Sequence, residues 1–487
     1  MTNAQQGNPN SFEKAAMFML ISRAIVKSLS IISTLILVRL ISPEDFGLVS
    51  IALAIYGFVE IFGLFGFHNA LVQNGNPTED DYHIVFTFGL LFGVFASIVT
   101  AIAAPYAATY YEDPRIQEAL LWISLIFIIN GFKNIKTVKF QIDMDFKREL
   151  FFQVIPKITS FICTISLAYY LRDFRALIFG MLINSLVTNV VSYMMIKYVP
   201  KIKLSGSKEL WKYSKWLMLN SILQYFNNRA VDLIVGKQVS VRAVGIYSLS
   251  NEISSLPMTE IAGPINKASF AAYSKAKADP ESLLSIFKKN TALTSTLSLP
   301  ISAGLLVTAA LFVPVAFGAQ WNDAILLIQI MSATCLIGAV CANSGYVLMS
   351  LGLSKLTFYV SLFRTILFLL ALYLFIPITG LYAVGWSSLI ATLIASWVSI
   401  VVLQKHAGFG FGAIATSVWR PVVSSLIMSI IVYSSNQIIN AATQFLQLII
   451  LIIVGVVSYG LSLYILWLYS GRPKGVEHDI LSKLKLA

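Results

Sequence analysis

The residues of greatest chemical consequence in this chain are charges set inside long apolar stretches. Arg23 and Lys27 lie four positions apart in an apolar run near 15–41, so a helix puts them on one face. At about 1.5 Å per residue from Ala15, Lys27 falls roughly 18 Å along that helix, near the middle of a bilayer. Lys157, Arg229 and Arg364 lie inside later apolar runs, and Arg39 and Lys237 stand near the ends of two of them. The carboxylates Glu60, Asp232, Glu252 and Glu260 share the same setting. A charge at the bilayer centre costs about 2.5–3.5 kcal/mol on an insertion scale, so such groups face water, a ligand or one another. Two like charges on one helical face repel unless an anion bridges them, and a phosphate group suits that role. A buried carboxylate can carry a coupling proton, or it can simply neutralise Lys27 or Arg229. Two further alternatives stand: Arg23 is shallow enough to snorkel to the surface, and Arg229 can pair with Asp232 three positions on.

Other chemistries lack their residues. No Gly-rich loop ending in Lys-Ser/Thr is present, so ATP hydrolysis is not expected of this chain. Cys163, Cys335 and Cys341 all lie in apolar stretches and read as small buried hydrophobes. The four histidines (His68, His83, His406 and His478) are scattered without partners at motif spacing. No cofactor, metal or catalytic residue is therefore expected. The net charge of +12 would suggest nucleic acid on a soluble protein; here it reads as a record of which loops face the cytoplasm, and no nucleic-acid partner is expected.

The elements that must position these charges are membrane spans. Of 487 residues, 57% are hydrophobic and only 12% charged, against about 25% charged in soluble domains. The first apolar run is longer than a signal-peptide core and has no small-residue cleavage site behind it. Apolar runs between polar, Pro and Gly breaks predict about fourteen helices, near 15–41, 47–72, 82–110, 117–140, 150–171, 176–198, 212–238, 244–267, 284–316, 322–350, 354–377, 380–404, 413–436 and 445–470. Pro105, Pro156, Pro257, Pro264 and Pro300 fall in or near them and read as kinks. Every second connection is basic: Lys133 to Arg148, Lys197 to Lys215, Lys267 to Lys289, and the tail with Arg472, Lys474, Lys483 and Lys485. The alternate connections are short and poor in Lys and Arg, although Thr78-Glu79-Asp80-Asp81 is acidic where a basic loop is expected. This pattern puts both termini in the cytoplasm. No connection has room for an extramembrane domain.

The chain also repeats itself. Leu37-Val38-Arg39-Leu40-Ile41-Ser42 runs on to Phe46-Gly47-Leu48-Val49-Ser50, and Val235-Gly236-Lys237-Gln238-Val239-Ser240 runs on to Val244-Gly245-Ile246-Tyr247-Ser248. One offset, 237 − 39 = 198, pairs Arg39 with Lys237, Ser42 with Ser240, Gly47 with Gly245 and Ser50 with Ser248. An even number of helices separates the copies, so the halves share orientation, a transporter arrangement with the substrate between them. The expected fold is all-α: a polytopic bundle with a six-helix lobe at 1–205, a second at 206–405, and two added helices with a tail at 406–487.

Three stretches resemble the Wzx-type polysaccharide transporter family of the multidrug/oligosaccharidyl-lipid/polysaccharide exporter superfamily. They are Leu37 to Leu48 with Asn69-Ala70-Leu71-Val72-Gln73; Asn228 to Gly236 with Val244 to Leu249; and Tyr111-Glu112-Asp113-Pro114 ahead of Asp145-Phe146-Lys147. The resemblance implies a flippase, not an enzyme, that carries undecaprenyl-pyrophosphate-linked oligosaccharide across the bacterial inner membrane by alternating access, driven by an ion gradient. The product feeds O-antigen, capsule or exopolysaccharide synthesis. Partners to expect are that lipid-linked sugar, membrane lipids, and a polymerase with its chain-length regulator. Under the resemblance Arg23, Lys27, Arg39, Lys157, Arg229, Lys237 and Arg364 bind the pyrophosphate or acidic sugars, and Glu60, Asp232 and Glu252 couple or gate. The main rival is a drug/cation antiporter of the same superfamily, against which the Arg23/Lys27 pair counts. A membrane-embedded polymerase or ligase would need a sizeable outward loop that this chain lacks.

Overall fold

The computed structural model of the protein describes residues 9–63, 71–72, 76–204, 225–226, 229–439, 443–473 and 475, with side chains from residue 21 onward. The early part of the expected helix at 212–238, the basic residues Lys208, Lys212, Lys215, Lys474, Lys483 and Lys485, and the motif residues Asn69, Ala70, Gln73 and Asn228 lie outside the described residues.

Among the described residues every regular element is helical and no strand occurs. In chain order these are α1 (Pro9–Leu40), α2 (Pro43–Ile61), α3 (Glu79–Tyr111), α4 (Arg115–Gly131), α5 (Lys139–Ile142), α6 (Phe146–Leu171) and α7 (Arg175–Met195). A helix over 229–238 follows as α8, then α9 (Val241–Leu256), α10 (Gly263–Ala276), α11 (Pro280–Ala316), α12 (Ala324–Cys341) and α13 (Ser344–Ser350). The series ends with α14 (Ser354–Thr379), α15 (Ala383–Ala407), α16 (Phe411–Ile438) and α17 (Gln444–Tyr469).

Nine described stretches are long and apolar enough to cross a membrane, or ten if the bent α4–α5 pair counts as one span. One of the nine, Ser354–Ala407, holds both α14 and α15. α2 falls short of that standard because its 19 residues carry Glu44, Asp45 and Glu60. α9 stops at 16 residues, where Pro257 opens a π-helical turn, Pro257–Ala262. Large side chains such as Tyr170 (82%), Met194 (79%) and Tyr469 (89%) stand exposed along the spans. An apolar surface of this extent is satisfied by lipid.

The chain divides into two compact units, residues 1–245 and 246–487. In the first, α3 packs along α4, α6 along α7, and α1 along α6. The crossing of α3 and α4 is close because a Cβ at Gly93 would meet the Phe127 carbonyl oxygen. The 71° bend after α4 is fixed by buried Asn134, whose Nδ2 donates to the Ser192 carbonyl (3.1 Å) and the Ile196 carbonyl (2.7 Å). In the second unit the long α11 is the organising strut, packed against α12, α16 and α17. Buried serines on α11 (Ser298, Ser302) and α16 (Ser424, Ser425) keep those backbones close, and Tyr459 Oη donates to the Thr296 carbonyl at 2.8 Å to tie on α17. Pro105, Pro156 and Pro300 sit inside continuous helices, whereas Pro257 opens the π turn and Pro264 lies in the first turn of α10.

Candidate functional site

The first unit gathers most of the charges singled out above. Ser22 Oγ on α1 donates to Gln153 Oε1 on α6 at 3.0 Å, and these residues are 131 positions apart. Leu37 of α1 shares an apolar cluster with Ala168 of α6, again 168 − 37 = 131 apart. The two helices therefore run side by side in one direction, with Ser22 and Gln153 at one level. That register puts Lys157 within one residue, about 1.5 Å along the axis, of the level of Lys27. Both lysines are half-buried, while Arg23 is exposed one turn nearer the start of α1. The sequence paired Lys27 with Arg23 on one helix; the fold adds Lys157 from a second helix at the same depth.

Glu60 lies in the last turn of α2, which ends at Ile61 in a turn through Phe62 and Gly63, rather than at the middle of an unbroken span over 47–72. Tyr56, one turn earlier, donates its hydroxyl to Glu60 Oε1 at 3.2 Å, and Asn130 Nδ2 on α4 donates to that hydroxyl at 3.5 Å. The Tyr56 ring stacks on Phe127 at 4.3 Å, which fixes the tyrosine between the two helices. Alongside, buried Tyr225 donates to the Ala54 carbonyl at 2.8 Å and packs its ring against Phe58. Arg229 and Asp232, both in α8, form an ion pair at 3.4 Å with the carboxylate almost wholly buried. Of the alternatives the sequence left open for these two, their mutual pair is present.

Arg39 is exposed in the last turn of α1. Lys237 contacts Glu112 Oε1 at 3.0 Å, and its ammonium stands 5.1 Å from the Tyr110 ring centre. Around this end of the unit, Arg242 pairs with Glu44 (2.8 Å), Arg115 with Asp113 (2.8 Å) and Asp45 (3.2 Å), and Arg175 with Glu118 (2.6 Å). Burial opposes ionisation of Asp113, but the side-chain and backbone N–H groups of Arg115 outweigh it and hold the carboxyl below its ordinary value.

Three predicted residues lie in the second unit. Glu252 is exposed on α9, and Glu260 falls within the π turn. Arg364 on α14 is within electrostatic reach of Tyr247 and Cys335. The second unit also holds an apolar groove of about 640 Å³ between α16 and α17, lined by Ile427, Ile431, Ile453, Val457 and Leu461 among others. Neither this groove nor the polar companions Tyr56, Asn130, Gln153 and Tyr225 was singled out from sequence. Tyr56 had a readable signal, its spacing of four from Glu60; the others depend on contacts between distant helices.

These features accord with the proteins the chain is similar to. The family model described as polysaccharide biosynthesis protein matches residues 36–326. A lipopolysaccharide biosynthesis protein of Escherichia coli K12, WzxC, is 23% identical over 425 residues, 86% of each chain. A membrane protein of the cps region of Klebsiella pneumoniae is 27% identical over 406 residues, covering 80% of this chain and 82% of its own. Among solved structures, the lipid II flippase MurJ in an inward closed conformation superposes with a TM-score of 0.73, covering 93% of this chain and 98% of MurJ at 15% identity, a likeness of fold. The chain is an integral membrane member of the polysaccharide biosynthesis protein family.

Proposed function

We propose that the protein is a flippase, not an enzyme, that moves undecaprenyl-pyrophosphate-linked oligosaccharide repeat units from the cytoplasmic to the periplasmic leaflet of the bacterial inner membrane. It works by alternating access with both termini in the cytoplasm, ahead of a polymerase and its chain-length regulator. The observation that carries this reading is the shared level of Lys27 and Lys157 on two packed spanning helices. Like charges at one depth in a low-dielectric setting favour a dianionic ligand between them, and pyrophosphate provides one. Arg23 lies on the entry side of that pair, and Arg39 and Lys237 lie at the far end of the same unit. Arg364 serves the second unit. Arg229 is neutralised by Asp232 within α8.

The groove between α16 and α17 gives a prenyl chain an apolar track, since a lipid tail keeps its contact with hydrocarbon while its headgroup crosses. Glu60, joined to Tyr56 and Asn130, is the coupling carboxylate of the proposal: the tyrosine hydroxyl supports the ionised form and is released when a proton arrives. Asp232 and Glu252 are gating groups in the same reading. A cation/drug antiporter would place carboxylates, not lysines, at that shared depth.

The test is the leaflet in which lipid-linked oligosaccharide resides in cells lacking the protein. Accumulation on the cytoplasmic side, relieved by the wild-type chain and not by an equally abundant Lys27→Ala variant, is the expected result. Intermediates that reach the periplasm without the protein would overturn the reading.

A further inference from the structure

The offset of 198 residues read from the sequence reappears as contacts in space. Ser42 caps α2 by accepting the Asp45 N–H at 3.2 Å; Ser240, 198 positions later, accepts the Ala243 N–H at 3.1 Å ahead of α9. A Cβ added at Gly47 would land on the Val241 carbonyl oxygen, and one added at Gly245 on the Pro43 carbonyl oxygen. Gly47 and Gly245 are repeat partners, and so are Pro43 and Val241. The contact is thus reciprocal, the mark of a two-fold axis passing between like surfaces. The ion pair beside it joins Arg242 to Glu44, which are themselves 198 positions apart. Repeat partners that touch each other lie on the axis.

We propose that this crossing is a latch between the two copies of the repeat, in which backbone meets backbone at Gly47 and Gly245 and the Glu44–Arg242 pair sets whether it is shut. The proposal rests on the reading of the protein as an alternating-access transporter. Three features suit a contact that must open. The paired side chains keep 40% and 38% of their surface exposed, so the attraction is modest and reversible. At Gly47 and Gly245 themselves backbone faces backbone, so no side chain of either residue has to unpack for the contact to part. The neighbouring pairs Arg115–Asp45, Arg115–Asp113 and Arg175–Glu118 all lie within 43–175 and survive opening, whereas Glu44–Arg242 and Glu112–Lys237 join that stretch to 229–245. The latch also explains why 229–245, placed by the offset in the second copy, belongs to the first compact unit in the structure.

The experiment uses the full chain with Cys163, Cys335 and Cys341 changed to Ser and one reporter, Ser50→Cys, one turn beyond Gly47 and only 8% exposed. Purified protein in lipid nanodiscs, where both faces are reachable, is labelled with a polar maleimide. Glu44→Arg and Arg242→Glu each replace attraction by repulsion and are expected to raise the labelling rate about fivefold. The double swap Glu44→Arg/Arg242→Glu is expected to return it to the starting rate, which also guards against mere misfolding. Labelling that is unchanged in both single variants, or that stays raised in the swap, overturns the latch. Because labelling needs no cargo, restoration by the swap upholds the latch even where lipid-linked sugar proves not to be the substrate.

Discussion

Two regions of the first unit handle charge in opposite ways. Around the crossing of Pro43–Gly47 with Val241–Gly245, Arg115, Lys237 and Arg242 each have an anion within 3.2 Å, and these pairs bridge different elements. Along α1 and α6 the fold does the reverse and brings Lys27 and Lys157 to one level. The first arrangement is complete in itself and closes structure upon structure. The second gathers charge of one sign at one level and raises the local potential for an anion. The difference separates the part of the molecule that holds from the part to which the proposed function assigns binding.

The comparison breaks most readily at the lysines. Lys157→Ala is expected to lower transport of lipid-linked sugar, in reconstituted vesicles, by about tenfold to a hundredfold, the range for losing one charge-assisted contact. Lys157→Arg should retain most of the activity. Full activity in the alanine variant would remove α6 from the binding region. Glu60→Gln keeps the shape of its contact with Tyr56 but cannot ionise. It is expected to make transport independent of an imposed proton gradient while basal exchange falls by no more than about tenfold; gradient dependence like that of the wild type would exclude Glu60 from coupling. The smallest effect belongs to the paired region. Asp113→Asn should cost about 0.5–1 kcal/mol in thermal unfolding at neutral pH. Since the Asp113 carboxyl is held below its free value of 3.8, its stabilisation is present above about pH 4 and fades as the pH falls through the depressed value. The gap between variant and wild type should close in strong acid. A gap that persists there would mean the asparagine disturbs packing rather than charge.

Much of this architecture was legible in the residues. Apolar runs located the spans because bilayer thickness fixes their length, and the repeat offset could be read because Ser42/Ser240 and Gly47/Gly245 serve backbone roles that tolerate few replacements. The break at Asn134 and the π turn at Pro257–Ala262 could not, since an asparagine in an apolar run says nothing of the carbonyls it will meet. The candidate site divides the same way. Intramembrane charges announce themselves through their cost, and Arg229 with Asp232 through their spacing. The alignment of Lys27 with Lys157 rests on the register of two helices more than a hundred residues apart, which periodicity within either helix does not encode.

The contact of Glu44 with Arg242 is also one that two identical chains could not make. In a dimer of identical chains, a position on the symmetry axis meets its own copy, so both sides carry the same residue, and two glutamates at 2.8 Å would push the subunits apart. Fusing the copies into one polypeptide frees the two positions to diverge. The two copies in this chain differ in that way: Ser42/Ser240 and Gly47/Gly245 are alike, while Glu44 and Arg242 are opposite in sign.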